Sequence, residues 1–204
     1  MHNGKTKQMI QEAALSLFSQ RGFSAVSVRD ICKVVGIKES TIYYHFKNKQ
    51  DIFETLLRDL INISNSMQVK FDNELSKIKR VEQRHFIAVG LSFLNNYLLE
   101  ERILKFIRML MIEQHVNDDA TKLYHQILFD APLKHNAAVF QHLMHMGCFK
   151  EGDIHYLAVE YYAPIYLAFQ RYFACGNVTS EKRKEAGEFL VTHLQNFYDK
   201  YSVQ

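Results

Sequence analysis

Residues 27–49, which read SVRDICKVVGIKESTIYYHFKNK, constrain the fold more than any other part of this sequence. They predict a short helix, a turn at Gly36 and a second short helix. The Ser27 hydroxyl is suited to accept a hydrogen bond from a free N–H of the first turn of a helix. Glycine at position 36 readily adopts the positive φ that a tight connection between two helices requires. The segment therefore predicts a helix–turn–helix.

The second predicted helix has an outer face suited to the major groove of DNA. Ile42 and Phe46 lie four residues apart and point inward. The other positions carry hydroxyls, rings and positive charge: Ser40, Thr41, Tyr43, Tyr44 and His45, with Lys47 and Lys49 just beyond. Such side chains bind phosphates and base edges. A glycine turn between two short helices also occurs in proteins that do not bind DNA. The sequence on both sides of the motif is therefore needed to tell a DNA-binding domain from another helical protein.

Both flanks complete a small helical domain. Apolar residues recur at helical spacing between residues 7 and 23, at Ile10, Ala13, Ala14, Leu17 and Phe18. Gly22 is placed to end that helix. Asn48, followed three residues later by Asp51, is placed to cap a further helix from about Lys49 to Leu75. Three helices around the turn, with a fourth leaving it, form a complete DNA-binding domain.

Residues 5–60 resemble the N-terminal domain of the TetR family of bacterial transcriptional regulators. The resemblance rests on AALSLFSQRGFSAVSVRDI and on VVGIKESTIYYHFKNKQDIF. It implies an all-α protein with a three-helix, helix–turn–helix DNA-binding domain over residues 1–48 and a larger helical ligand-binding and dimerisation domain over residues 49–204. The implied partners are double-stranded DNA, a small-molecule effector and a second copy of the chain.

The resemblance also assigns roles in DNA binding. Ser27 and Arg29 correspond to residues that reach phosphates from the start of the first motif helix, and Lys49 to a lysine that holds a phosphate. The recognition helix would supply contacts to bases and further phosphates. The full set of expected DNA-binding residues is Ser27, Arg29, Lys38, Ser40, Thr41, Tyr43, Tyr44, His45 and Lys49.

The sequence departs from the family pattern at residues 38–40, which are Lys-Glu-Ser where Ser-Lys-Gly or similar is frequent. Lys38 has no side chain able to cap the recognition helix. Glu39 is open to two interpretations: it accepts a hydrogen bond from cytosine N4, or it neutralises the helix dipole away from the groove. We favour the second.

Charge is distributed unevenly along the chain. Residues 1–50 hold eight Lys or Arg against three acids, and the remaining 154 residues hold 17 against 19. A basic first quarter on a nearly neutral remainder is typical of a DNA-binding protein.

The middle of the chain supplies the side chains expected at an effector site. The resemblance implies a small apolar or aromatic effector, and Met and aromatic residues with a few polar groups are typical of such sites. Most residues of these types are simply core. The expected ligand-binding residues are Phe106, Met109, His115, Tyr124, Phe140, Met144, Tyr162 and Tyr166.

The last two predicted helices, from residues 153 to 176 and 180 to 198, are apolar over a wide arc. In the family that this chain resembles, these helices pair with their copies, which implies a homodimer and an inverted-repeat operator. Part of this surface is expected to pack against helices of the same chain, but the set as a whole exceeds what one core face needs: Ile154, Leu157, Tyr161, Ile165, Leu167, Ala168, Tyr172, Phe189, Leu190, Leu194 and Phe197.

Three alternatives remain open. Ten histidines, with His142 and His145 three apart, allow a metal- or haem-sensing regulator, although no Cys or acid stands at matching spacing. An architectural DNA-binding protein would not need some 150 further residues. An enzyme is disfavoured because the sequence has no phosphate loop and no nucleophile elbow. We therefore expect a ligand-responsive repressor without cofactor or metal.

The sequence also bears on location. The most apolar run, residues 103–112, is interrupted by Lys105 and Arg108 and is too short to span a bilayer. Three scattered cysteines without metal spacing suit a reducing cytoplasm. We expect a cytoplasmic protein with no membrane partner.

Overall fold

In the computed structural model, residues 2–75 and 81–203 are described, and this part of the chain is built from helices. The first five are α1 (His2–Arg21), α2 (Val28–Val35), α3 (Glu39–His45), α4 (Lys49–Leu75) and α5 (Gln83–Ser92). A π-helical segment, π1 (Phe93–Leu98), continues α5. The rest are α6 (Glu101–Glu113), α7 (Asp118–His125), a second π-helical segment π2 (Gln126–Asp130), α8 (Ala131–His145), α9 (Ile154–Tyr172) and α10 (Ser180–Tyr201). Pairing of the β type in this part is confined to an isolated antiparallel bridge between Phe149 and Ser202. The all-α prediction is confirmed.

The chain folds as two compact units that are interleaved in sequence. The first unit combines Met1–Met67 with Arg102–Tyr124, and the second combines Gln68–Glu101 with His125–Gln204. This division differs from the expected boundary after residue 48, because α6 and α7 pack with the helices of the N-terminal domain. The assignment of DNA binding to residues 1–48 and of ligand binding to residues 49–204 stays a prediction.

The core of the first unit is formed by α1 and the start of α4. The rings of Phe18, Phe23 and Phe53 lie with centroids 5.0–6.1 Å apart. The buried stripe of α1 consists of Ile10, Ala13, Ala14, Leu15 and Phe18. Leu15 therefore takes the inward position expected for Leu17, which is only half-buried.

The spacing of apolar residues in α2 predicts an inward face formed by Ile31, Val34 and Val35, and the structure buries a different set. The buried residues of α2 are Ile31 and Cys32, whereas Val34 is 60% exposed. Ile37, next to the turn, is half-buried. The short helix turns its inward face toward α1 through residues 31 and 32, so Val34 lies on the outside.

The second unit has an aromatic core, formed where α5, α8, α9 and α10 meet. The rings of Phe86, Phe140, Phe149, Tyr161 and Phe197 are nearly inaccessible to solvent. Their neighbouring centroids lie 5.3–6.5 Å apart. Rings at such distances in tilted and edge-to-face orientations stabilise a core beyond their buried area alone.

Pro132 lies at the start of α8, directly after π2. Proline has no N–H to offer the carbonyl four residues earlier, which here belongs to Leu128. The Tyr162 hydroxyl donates to that carbonyl at 2.9 Å. The π-helical segment therefore ends at Asp130, and Pro132 lies in the first turn of α8, where a missing N–H does no harm.

The last two helices bury most of the residues that the sequence analysis assigned to a dimer interface. Leu157, Tyr161, Ile165, Ala168, Leu190, Leu194 and Phe197 are inside the second unit. Ile154 and Tyr172 are half-buried. This is the burial within one chain that is expected for part of this surface, and pairing of the last two helices in a dimer stays a prediction.

A different set of residues is left on the outside of α9 and α10. Tyr156, Val159 and Leu167 are 61%, 49% and 56% exposed, and Ala163 between them is also exposed. Spacings of three, four and four residues place them in one line along α9. Phe189 of α10 is 41% exposed. We call Tyr156, Val159, Ala163 and Leu167 the outer stripe.

No helix of residues 2–75 and 81–203 is long and apolar enough to cross a membrane.

Candidate nucleic-acid interface

The turn between α1 and α2 lies against the end of α6. Gly22 has φ +78°, and its N–H donates to the Phe18 carbonyl at 2.9 Å. A Cβ at this position would lie 2.8 Å from Cγ2 of Ile112 and 3.0 Å from Oε1 of Glu113. Both the backbone conformation and the closeness of α6 therefore favour glycine.

Glu113 holds this turn through its carboxylate. The Phe23 N–H donates to Oε1 of Glu113 at 2.7 Å. Glu113 is only 4% exposed. A buried carboxylate is costly unless it is hydrogen-bonded, so this contact fixes the end of α6 to the turn.

Lys49 holds the same turn at its carbonyls. Its ammonium donates to the carbonyls of Phe23 and Val26, both at 2.7 Å, and lies 4.1 Å from the centroid of the Phe23 ring. Burial lowers the pKa of Lys49, and the nearby Glu113 charge partly opposes that shift. We call Lys49 and Glu113 the turn clamp. A phosphate contact of Lys49 stays a prediction, since its ammonium already binds the turn.

Helix α2 begins at this turn with the cap that the sequence predicts. The Ser27 hydroxyl accepts from the Asp30 N–H at 3.2 Å, and the Asp30 carboxylate accepts from the Ser27 N–H at 2.8 Å. The backbone N–H and then the hydroxyl of Ser27 lower the pKa of Asp30. At the other end, Gly36 adopts φ +75° and stops the helix. The helix–turn–helix is confirmed.

Helix α4 begins with the predicted cap as well. The Asn48 side-chain oxygen accepts from the Asp51 N–H at 2.9 Å. The Asp51 carboxylate accepts from the Lys47 N–H, also at 2.9 Å. These contacts fix the connection between α3 and α4.

Helix α3 turns most of its expected DNA-binding residues outward. Ile42 and Phe46 anchor it, with exposures of 0% and 2%. Tyr43 and Tyr44 are 53% and 73% exposed. Of the other expected residues, Ser27, Arg29, Lys38 and Ser40 are exposed, and Thr41 and His45 are half-buried. Contact of these side chains with DNA stays a prediction.

The unusual Glu39 forms an ion pair with another expected DNA-binding residue. The Arg29 Nε donates to Oε1 of Glu39 at 2.9 Å, which joins the start of α2 to the start of α3. This hydrogen bond and the charge of Glu39 raise the pKa of Arg29. Lys38 provides no side-chain cap, as expected. An acid at this position therefore neutralises a guanidinium that is expected to reach a phosphate.

The expected ligand-binding residues are divided between the two units, and their role in ligand binding stays a prediction. Phe106, Met109, His115 and Tyr124 belong to the first unit, and Phe140, Met144, Tyr162 and Tyr166 belong to the second. Phe106 and Met109 are fully buried, Tyr124 and Met144 are buried, and His115 is exposed. Phe140 is part of the aromatic core. Tyr162 and Tyr166 lie together, with centroids 6.3 Å apart.

Three further rings accompany Tyr162 and Tyr166 that are not among the expected ligand-binding residues. They are Phe93 and Tyr97 of π1 and Phe129 of π2, and all three are half-buried. A π-helix closes hydrogen bonds between residues i and i+5, so its side chains leave the 3.6-residue period of an α-helix. Phe129 belongs to the Met and aromatic residues that the middle of the sequence offers for an effector site, whereas no sequence pattern indicates Phe93 or Tyr97.

The histidine-based alternative has no cluster to support it. Within residues 2–75 and 81–203, no group of three or more His, Cys, Asp or Glu side chains is placed to hold a metal ion.

Comparison with known proteins locates the strongest similarity in the N-terminal helices. Residues 10–56 match the model of the tetR family of bacterial regulatory proteins. The transcriptional regulator AcrR of Shigella flexneri is 44% identical over 52 residues, which are 26% of this chain and 24% of AcrR. That match therefore spans about a quarter of the relative's length.

A weaker similarity extends along most of the chain. The negative transcriptional regulator IcaR of the biofilm operon icaADBC, from Staphylococcus epidermidis, is 24% identical over 165 residues, or 81% of this chain and 74% of IcaR. A structure from Mesorhizobium loti described as a TetR-family transcriptional regulator covers 100% of both chains with TM-score 0.73 and 20% identity. A regulator from Saccharomonospora viridis in complex with choline covers 98% of this chain and 100% of its own, with TM-score 0.69 and 22% identity. The structures show a shared fold.

The Arg29–Glu39 pair generates a prediction. Glu39→Gln removes a negative charge from the expected DNA-facing surface and frees Arg29 to reach a phosphate. We expect tighter binding to a random-sequence duplex, and a slope of log K against log[salt] that is steeper by about 1, because one more phosphate is neutralised. Fluorescence anisotropy over a range of salt concentrations measures both.

Glu188→Gln is the matched control, since it removes the same charge from an exposed position on α10. Equal affinities and equal salt slopes for the two variants would contradict a role for the Arg29–Glu39 pair at the DNA surface.

Proposed function

We propose that this chain, a member of the tetR family of bacterial regulatory proteins through its residues 10–56, is a dimeric transcriptional repressor that a small-molecule effector releases from DNA. The observation that carries the proposal is the exposed face of α3, held on two buried anchors within a basic domain. IcaR is named a negative regulator, and the S. viridis structure contains choline. These relatives support repression and effector binding in this chain.

DNA binding divides into two kinds of contact in this proposal. Lys38 and Ser40 contact phosphates and fix the position of the domain on the duplex, and Arg29 adds a phosphate contact when its ion pair with Glu39 opens. Tyr43 and Thr41 contact base edges in the major groove, where hydroxyls donate and accept and a methyl group packs on thymine. The basic charge of residues 1–50 attracts the duplex before these contacts form.

The outer stripe supports a homodimer through α9 and α10. Tyr156, Val159 and Leu167 form a line of exposed apolar side chains, and Phe189 extends the apolar surface to α10. Burial of such a line against its own copy removes apolar surface from water. A two-fold dimer presents two copies of α3 at a spacing of one DNA turn or a multiple, so the operator is an inverted repeat.

Effector release follows from the turn clamp. Glu113 lies at the end of α6 and holds the turn from which α2 begins. An effector that favours another position of α6 changes where α2 and α3 stand in each protomer. A coupling of about 1–3 kcal/mol lowers DNA affinity by a factor of about 5–150.

Selection of bound fragments from genomic DNA by the purified full chain tests this function. We expect enrichment of fragments that share an inverted repeat. Tyr43→Ala should weaken binding to the enriched duplex by about 1–3 kcal/mol. Its thermal unfolding should stay unchanged because Tyr43 is 53% exposed.

Val116→Ala is the control, because Val116 is 76% exposed elsewhere in the same unit. Unaltered affinity of Tyr43→Ala would mean that α3 is not the recognition helix, and the absence of any enriched duplex would overturn the function.

The dimer interface has its own test. Leu167→Glu places a charge in the middle of the outer stripe, so we expect the dimer to dissociate in sedimentation velocity at concentrations where the unchanged protein is dimeric. Val89→Glu changes a residue that is 66% exposed on α5 and should leave the dimer intact. If Leu167→Glu sediments as the unchanged protein does, the outer stripe is not the interface.

A further inference from the structure

The two π-helical segments lie beside the points where the chain passes between its two units. π1 ends at Leu98, and the chain enters the first unit at Arg102. It leaves the first unit after Tyr124, and π2 begins at Gln126. The stretch that carries α6, α7 and Glu113 is thus bounded by π1 and π2. π-helical segments are rare and are frequent at functional sites.

Aromatic rings from both π-helical segments meet on α9, within the second unit. The Phe93 centroid lies 5.1 Å from that of Tyr97 and 6.1 Å from that of Tyr162. The Phe129 centroid lies 5.0 Å from that of Tyr166. We call these five residues the π-segment cluster. Four of them are half-buried and Tyr162 is buried, whereas the rings of the aromatic core are all buried.

The hydroxyls of this cluster differ in what they bind. Tyr162 donates to the Leu128 carbonyl, and Tyr166 accepts from the Gln170 side chain at 2.8 Å. Tyr97 has no hydrogen-bond partner for its hydroxyl among the described residues. Burial raises the pKa of Tyr97, so the hydroxyl keeps its proton and remains a donor. The half-buried Tyr97 hydroxyl has no acceptor within the described protein, and a ligand that supplies one gains a hydrogen bond there.

We infer that the π-segment cluster is the effector site and that it takes a neutral aromatic compound carrying a hydrogen-bond acceptor, which accepts from the Tyr97 hydroxyl. This inference rests on the proposed effector-responsive function. Rings in tilted and edge-to-face orientations offer both faces and edges to a flat aromatic guest. The Tyr97 hydroxyl can donate a hydrogen bond to a guest that carries an acceptor. A hydrocarbon and a quaternary ammonium ion accept no hydrogen bond, so neither gains affinity from this hydroxyl.

The position of the cluster also connects ligand binding to the turn clamp. A π-helical turn contains more residues than an α-helical turn, so a change from one to the other rotates the helix that follows. A ligand among the rings of π1 and π2 acts at both ends of the stretch that carries Glu113.

Four small probes test the ligand class on the full chain. Acetophenone has a ring and an acceptor, α-methylstyrene is its hydrocarbon isostere, cyclohexyl methyl ketone keeps the acceptor without the aromatic ring, and phenyltrimethylammonium is a cation. Ligand-observed NMR titration gives each affinity. We expect acetophenone to bind about tenfold more tightly than α-methylstyrene, from one hydrogen bond donated by the half-buried Tyr97 hydroxyl. The saturated ketone and the cation should bind more weakly than acetophenone.

Tyr97→Phe keeps the ring and removes the hydroxyl. In this variant the preference for acetophenone over α-methylstyrene should vanish, while Phe129→Leu should weaken both. Tyr198→Phe is the control, because it removes a hydroxyl that donates to the Val81 carbonyl in the same unit. It should retain the tenfold preference.

A preference that persists in Tyr97→Phe overturns the inference. The inference is also overturned if the saturated ketone binds as tightly as acetophenone, or if the cation binds more tightly. Absence of acetophenone binding up to about 10 mM overturns it as well, because this concentration corresponds to the weakest affinity expected for a fragment of its size. DNA binding of the same variants without probe is measured separately. Intact DNA binding with a failed probe test overturns this site alone, whereas loss of DNA binding in the unchanged protein overturns the proposed function.

Discussion

The Phe23–Val26 turn is the constraint on which the DNA-binding unit depends. A buried carboxylate accepts from its N–H, and a partly buried ammonium donates to two of its carbonyls. Burial of the Glu113 carboxylate or the Lys49 ammonium is unfavourable without hydrogen-bond partners, so both side chains stay bound to the turn. Because α2 begins at Ser27, the turn clamp determines where the helix–turn–helix stands.

This constraint accounts for the place of α6 in the same unit as α1, α2, α3 and most of α4. Glu113 is supplied by α6, and Gly22 leaves the space that α6 needs. The stretch from Arg102 to Tyr124 thus belongs structurally to the first unit although it lies far along the chain. Its two ends adjoin π1 and π2 in sequence, and Pro132 follows π2.

Local signals in the sequence were sufficient for the parts of the site that depend on neighbouring residues. The Ser27 and Asn48 caps, the Gly36 turn, the anchors of α3 and the bounds of α4 all follow from patterns a few residues long. The contact between Phe23 and Glu113 joins residues 90 positions apart, and no local pattern encodes it. The same limit applies to the proposed dimer surface, because the sequence pattern of an apolar residue on α9 is the same whether that residue packs against α10 or against a second chain.

Operator affinity of Glu113 variants tests the central claim most directly, which is that DNA binding depends on the turn clamp. Glu113→Ala leaves the Phe23 N–H without its acceptor, and Glu113→Gln keeps an oxygen that can accept. Measured on folded protein with a selected duplex, Glu113→Ala should bind at least about tenfold more weakly, from one lost buried hydrogen bond, and Glu113→Gln should stay close to the unchanged protein. A folded Glu113→Ala protein that binds the duplex as tightly as the unchanged protein would contradict the account.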